Sequence, residues 1–271
     1  MKREFNQSSI PLSVSGTSMT ISALSRDGSK APMMFLHGFG STKEDYADIA
    51  RHNEFAERPF VSYDAPGCGQ THCSDLSKVC IPFLVDTAVA VADHFGFERF
   101  HLVGHSMGGL TSLMLGSQLP QRVISFTDIE GNIAPEDCFL SRQIHQYPAD
   151  SAAQFLDDFV ERALHAPAYA SALYSASLRH KVRAEAVAGI FKSMVELSDN
   201  AGLMERFLGM PFPRMFMFGE QNAHLSYLKH IESRGVKLAE IADCGHFPMY
   251  SNPVAMWQSI ADFVRLSERQ T

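Results

Sequence analysis

Leu102-Val103-Gly104-His105-Ser106-Met107-Gly108-Gly109-Leu110 is the stretch from which the rest of the chain can be read. Residues 100–103 form a short apolar run, which signals a strand. Leu110, Leu113, Met114 and Leu115 follow at helical spacing, and Pro120 closes the segment. A strand that ends in Gly-x-Ser-x-Gly and turns at once into a helix needs glycine on both sides of the serine. A Cβ at either place would collide with neighbouring backbone. The sharp turn lifts the hydroxyl out of the sheet, and the first amides of the new helix point at whatever it attacks.

Outward from this turn, strand and helix signals alternate. Residues 10–14, 19–24 and 32–36 read as strands, with Arg26-Asp27-Gly28-Ser29 supplying turn chemistry. The run Phe60–Tyr63 is the next strand. A helix is expected over 79–95, with Ser77 able to cap it and Gly96 ending it. After the serine turn the pattern predicts a helix to about 119 and a strand over Val123–Ile129. Strands over 214–218 and 236–241 then alternate with helices over 225–233 and 253–266. Such alternation implies a mostly parallel sheet, here of eight strands, with helices on both faces.

Between residues 131 and 210 the alternation stops. Phe155, Leu156, Phe159 and Ala163 keep helical periodicity after a candidate N-cap at Ser151, as do Val187, Ile190, Phe191 and Met194. The expected organisation is a core of residues 1–130 and 211–271, with 131–210 inserted between the sixth and seventh strands. On its periodicity alone the insert reads as additional packing helices.

Composition narrows the classes. An apolar fraction of 45% over 271 residues suffices for a core without covalent staples. The net charge of -7, with no basic cluster, speaks against a nucleic-acid partner. Five cysteines, odd in number and without a Cys-x-x-Cys pair, read as reduced thiols. No apolar run of signal-peptide or membrane-spanning kind is present, so a soluble cytoplasmic protein without membrane association is expected. No cofactor is implied. No metal site is expected either, because the His and Cys positions are scattered.

Four further segments stand out beside the serine turn. His37-Gly38-Phe39-Gly40-Ser41 follows the strand Met33–Leu36, and Asp64-Ala65-Pro66-Gly67-Cys68-Gly69-Gln70-Thr71 follows Phe60–Tyr63. Cys244-Gly245-His246-Phe247-Pro248 follows the last strand. Among twelve histidines, His246 stands apart because it follows a glycine, ends a strand and precedes the C-terminal helix. An imidazole there suits proton relay near neutral pH. His101, His224 and His230 receive no functional reading. The fourth segment is the end of Val123–Ile129, where Glu130 stands at the carboxyl end of a parallel strand, the end at which functional groups collect.

Together with the serine turn, these segments resemble the α/β-hydrolase superfamily in order and spacing, across nearly the whole chain outside 131–210. The resemblance implies a nucleophile elbow at Ser106 and a base at His246. It also implies an oxyanion hole formed by the backbone N–H groups of Phe39 and Met107, and a lid in the insert. His37 and His105 would shape the site, and Asp64 would be a structural carboxylate bonded to local amides.

The acid departs from the superfamily's commonest pattern. Its usual position, after the strand that follows the insert, reads Phe218-Gly219-Glu220-Gln221-Asn222, so an amide stands where Asp is expected. Some haloalkane dehalogenases, a branch of the same superfamily, carry the acid at the end of the preceding strand, which here is Glu130. The candidates are therefore Glu130, the preferred one, and Glu220. Asp128 lies within its strand, and Asp243 is too near His246 in sequence to face its far nitrogen.

A Ser nucleophile with His and a carboxylate supports an acyl-enzyme. The expected activity is hydrolysis of a small, largely apolar carboxylic ester or thioester. Carbon–carbon hydrolysis of a diketone-like substrate uses the same parts, and a small-molecule receptor that signals through its lid is the reading outside enzymes. The oligomeric state is not legible.

Overall fold

The computed structural model describes residues 5–146 and 151–269. The chain opens with β1 (Asn6–Val14) and β2 (Thr17–Arg26), an antiparallel hairpin in which Val14 faces Thr17. Its two-residue loop holds Ser15 and Gly16 at φ 49° and 75°. Positive φ at both loop residues matches the twist of the flanking strands. β3 (Met33–Leu36) and β4 (Phe60–Tyr63) follow, then β5 (His72–Cys73) and α1 (Ile81–His94). β6 (Phe100–His105) runs into α2 (Met107–Gln118), and β7 (Val123–Ile129) comes next.

Between β7 and β8 (Arg214–Gly219) the described chain is helical: α3 (Phe139–His145), α4 (Ala152–Leu164), α5 (Ser171–Ser175), α6 (Leu178–Lys181), α7 (Ala184–Asn200) and α8 (Leu203–Leu208). After β8 come α9 (Leu228–Ser233), β9 (Lys237–Ile241), α10 (Pro248–Ser251) and α11 (Pro253–Glu268).

The sheet runs β1-β2-β4-β3-β6-β7-β8-β9, parallel from β4 to β9 and antiparallel at β1 and β2. The expected eight strands form this path. A ninth, the two-residue β5, pairs with β2 through Met19 and Cys73. It is too short to carry an alternation signal, which is why the sequence does not announce it. The chain goes from β3 outward to β4, then returns to the other side of β3 with β6. At such a reversal the loops leave in opposite directions and open a crevice at the carboxyl ends of the strands. Phe39 follows β3 and Ser106 follows β6, so both stand at that crevice.

The core explains the runs. β3, β4 and β6 are buried along their whole length, as parallel strands covered on both faces must be. Trp257 of α11 meets Phe35, Tyr46 and Phe55 edge-on at 5.6 to 6.5 Å. Burying each of these side chains contributes about 1.5–3 kcal/mol.

The helical segment is tied to the sheet layer by Ser193 of α7. Its hydroxyl accepts the Ile81 amide at the start of α1 (2.9 Å) and donates to Ile190 (2.8 Å). The cap expected from Ser77 is thus supplied by a residue far away in sequence, and α1 begins at Ile81, not at 79. Ser151 does cap α4, accepting from the Gln154 amide at 3.1 Å.

Candidate active site

The turn at Ser106 is as tight as its glycines require. Ser106 adopts φ 51° and ψ -116°, a conformation costly for a residue with a Cβ. Its amide is held by the Ile129 carbonyl of the neighbouring strand at 2.9 Å. A Cβ on Gly104 would stand 2.4 Å from the Gly108 carbonyl, and one on Gly108 would stand 2.1 Å from the Leu36 carbonyl. α2 can therefore start against β3 only with glycine at both places.

His246 lies on the loop after β9 and turns Nδ1 to Oε2 of Glu130 at 2.7 Å. A carboxylate can only accept, so Nδ1 carries a proton, and in the neutral imidazole Nε2 is the acceptor nitrogen. The Glu130 side chain is 6% exposed against 37% for His246. Glu130 takes φ 48° at the end of β7, and its amide donates to the Met217 carbonyl of β8 at 3.0 Å. Its carboxylate also accepts from Gly219 N (2.8 Å) and from Asn222 Nδ2 (2.9 and 2.7 Å).

His105 braces the histidine loop from below. Its Nε2 donates to the His246 carbonyl at 2.8 Å, while its buried Nδ1 has no partner. Burial, reinforced by the neighbouring His246, holds His105 well below the usual imidazole range, so it stays neutral. A Cβ on Gly38 would lie 2.5 Å from that Nδ1, so the loop after β3 passes directly over it. His37 accepts the Ala65 amide on Nε2 (2.9 Å) and donates from Nδ1 to the Gly38 carbonyl (2.7 Å), locking the same loop. Tyr174 of α5 donates to the Phe39 carbonyl at 2.8 Å and stacks on Phe247 at 4.4 Å. The amides of Phe39 and Met107 engage no protein acceptor among the described residues.

Ser106, Glu130, Asn222 and His246 line one cavity of about 620 Å³. Its interior is built by Phe39, Phe159, Phe191, Met194, Tyr174 and Phe247. Phe39 packs edge-on against Phe191 at 4.6 Å and Phe159 at 6.0 Å, so α4 and α7 roof the crevice. Two cationic or potentially cationic side chains, Arg162 and His224, stand at its exposed rim. On the polar wall, burial pushes the Asp137 carboxyl up to about 6, against hydrogen bonds from the amides of Ile133 and Ala134 and from the Tyr227 hydroxyl.

The other carboxylates lie elsewhere. Glu220 is exposed and does not line the cavity. Asp128 is fully buried, bonds the Gly131 amide at 2.8 Å and is pushed well above the usual carboxylate range by burial. Asp243 is exposed. Asp64 accepts the amides of Lys43 (2.9 Å) and Gln70 (2.8 Å), the local bonding expected of it, and also the buried ammonium of Lys43 at 2.9 Å. Lys43 is 1% exposed, and no pattern in the sequence marks it as buried. The roles of Asn222 and Tyr174 were likewise missed. Asn222 had a visible signal, an amide at the expected acid position, whereas Tyr174 sits in a segment without register. Among the described residues, no group of three or more His, Cys, Asp or Glu is placed to hold a metal ion.

The crevice, the strained serine and the histidine–carboxylate pair define an α/β-hydrolase, and the chain belongs to that family. The sequence profile of the Alpha/beta hydrolase family matches residues 33–258. A curated relative is the dihydrolipoyllysine-residue acetyltransferase component of the acetoin cleaving system of Pseudomonas putida. It is 35% identical over 97 residues, which are 35% of this chain and 25% of that protein. The match thus spans only a quarter of that relative's length. A carboxylesterase of the thaumarchaeon Nitrososphaera gargenis superposes with a TM-score of 0.78 at 14% identity, covering 97% of this chain and 100% of the other. The N-acyl homoserine lactonase AidH, solved as a variant with N-hexanoyl homoserine, superposes with a TM-score of 0.73 at 16% identity, covering 96% and 97%. Likeness at this identity shows the fold alone.

Proposed function

We propose that this chain is a serine hydrolase that cleaves a small, largely apolar carboxylic ester or thioester through an acyl-enzyme on Ser106. The observation that carries the reading is the 2.7 Å bond from His246 Nδ1 to Glu130, which in the neutral imidazole makes Nε2 the acceptor nitrogen of a ring lining the same cavity as Ser106.

In this mechanism the substrate carbonyl lies over Ser106. His246 Nε2 takes the hydroxyl proton as Oγ attacks, and Glu130 stabilises the imidazolium. The amides of Phe39 and Met107 receive the oxyanion, a contribution worth on the order of 10²–10³ in rate per donor. The proton then passes to the leaving alcohol or thiol. Water, deprotonated by His246, attacks the acyl-Ser106 ester, and collapse returns the free acid and the serine. The aromatic interior takes an uncharged acyl chain, and residues 131–210 act as the lid that closes over it.

An organophosphonate probe is expected to label Ser106, and steady p-nitrophenyl butyrate turnover to vanish in Ser106→Ala. Glu130→Gln should lose about 10⁴ in kcat, while Glu220→Gln keeps activity near wild type. Normal turnover in Glu130→Gln would overturn the acid assignment. Labelling with a single turnover would favour a receptor.

A further inference from the structure

Asn222 is a polar side chain of the cavity that the proposed reaction leaves without a task. It sits in the turn after β8, where Gln221 N donates to the Cys244 carbonyl (3.1 Å) and Leu225 N to the Asn222 carbonyl (3.2 Å), so its backbone is anchored. Its side chain meets both oxygens of Glu130, at 2.9 Å to Oε1 and 2.7 Å to Oε2. The atom there must be Nδ2, because an amide oxygen would face two acceptors with no proton between them.

Glu130 Oε1 thus takes Gly219 N and Asn222, and Oε2 takes Asn222 and His246. The backbone under Glu130 is already fixed by its amide bond to Met217 and its φ of 48°. What remains free is the side-chain rotation that decides whether Oε2 faces Nδ1. A carboxylate this far from water also needs donors to offset its lost hydration.

We propose that Asn222 is a positioning residue: its Nδ2 spans both Glu130 oxygens and keeps Oε2 aimed at His246. This rests on the reading of Ser106, His246 and Glu130 as the catalytic set. Leucine there would remove the donor at similar volume. Aspartate would put a second carboxyl within about 3 Å of the first, so the two would repel or share one proton and the fixed amide donor would be lost. Titratable groups around the pair include Asp128, Tyr227 and Cys244, each of which feels the charge of Glu130, Glu220 beside Cys244, Asp137 beside Asp128, and His105 against His246; both variants leave them in place.

The test is the pH profile of kcat and KM for p-nitrophenyl butyrate, with the low-field NMR signal of the His246 Nδ1 proton as a second readout. In Asn222→Leu, kcat should fall on the order of tenfold or more with KM within about twofold, and the low-field signal should shift or broaden. Asn222→Asp, nearly isosteric, removes the fixed amide donor and should likewise lower kcat, change the acid limb of the pH profile and disturb the low-field signal; it carries the test if the leucine variant does not fold. Glu130→Gln should abolish the signal. An unchanged signal and an unchanged kcat in a folded Asn222 variant would overturn the proposal, as would losses that follow only a lowered melting temperature. Should the wild type turn nothing over while its signal responds to Asn222→Leu, the positioning role stands and the hydrolase reading falls.

Discussion

At the scale of single residues, the site is governed by where a Cβ can and cannot be. Gly104 and Gly108 have no room for one, and Ser106 carries one in a conformation that resists it. The motif is legible in the sequence for this reason: steric exclusion leaves a spaced glycine signature that needs no tertiary information. Gly108→Ala should unfold more readily than wild type by about 2 kcal/mol or more, as overpacking against a backbone carbonyl does. A melting temperature at or above wild type would show that α2 can move away from β3. Lys43 is the opposite case. Its pairing with Asp64 depends on the start of the 3-10 helix Lys43–Arg51 meeting the loop after β4, and nothing local to either one records it.

At the scale of elements, the sheet was legible because β3, β4, β6, β7 and β8 are buried almost throughout and α1 and α11 each keep a buried stripe. The edge strand β9, by contrast, exposes one face, and α2 is buried nearly all round. β7 is found at the expected bounds, and β6 extends the expected 100–103 run to His105. β1 and β2 run longer than expected, since their outer residues alternate with exposed polar ones, a weaker signal. The helical segment gave periodicity without placement. Its position depends on contacts such as the Tyr174 hydroxyl on the Phe39 carbonyl, which join residues far apart in sequence. Gly40, at φ 75°, shows how close this docking is: a Cβ there would lie 2.2 Å from Leu178 and 2.6 Å from the Tyr174 hydroxyl. Gly40→Ala is therefore expected to displace α5 and α6, to lower stability by about 1–3 kcal/mol, and to raise KM more than it lowers kcat. Tyr174→Phe, which keeps the ring on Phe247, should lose only about 1 kcal/mol. Equal losses in the two variants would mean that the hydroxyl alone sets the docking.

At the scale of the whole molecule, the two ends of the sheet respond to acid in different ways. At the end away from Ser106, His101 is fully buried, shares a 2.7 Å bond with Ser125, and is pushed down to about 4 by burial, with Arg58 adding to it. The unfolded chain takes up that proton near 6.5, so His101 costs stability as pH falls from there through about 4. Asp137, pushed up to about 6 at the cavity wall, works the other way: its contribution is lost as pH rises through that value. Thermal unfolding from pH 7 to pH 4 should fall less steeply in His101→Gln than in wild type, and parallel curves would sink that assignment.

The position of Glu130 has a further consequence. Ser106 and Glu130 follow adjacent strands joined by a ladder from Phe100↔Val123 to His105↔Ile129, and both precede the helical segment. Of the three groups in the proposed set, only His246 has to be delivered from beyond it. Lengthening, shortening or exchanging that segment therefore leaves the spacing of nucleophile and acid untouched. A longer insert costs about 0.6 kcal/mol per doubling where it is flexible. The insert can thus diverge in descendants of this chain while Ser106 and Glu130 keep their spacing on one ladder, and the contacts of Glu130 to Met217, Gly219, Asn222 and His246 are what must be brought back from beyond it.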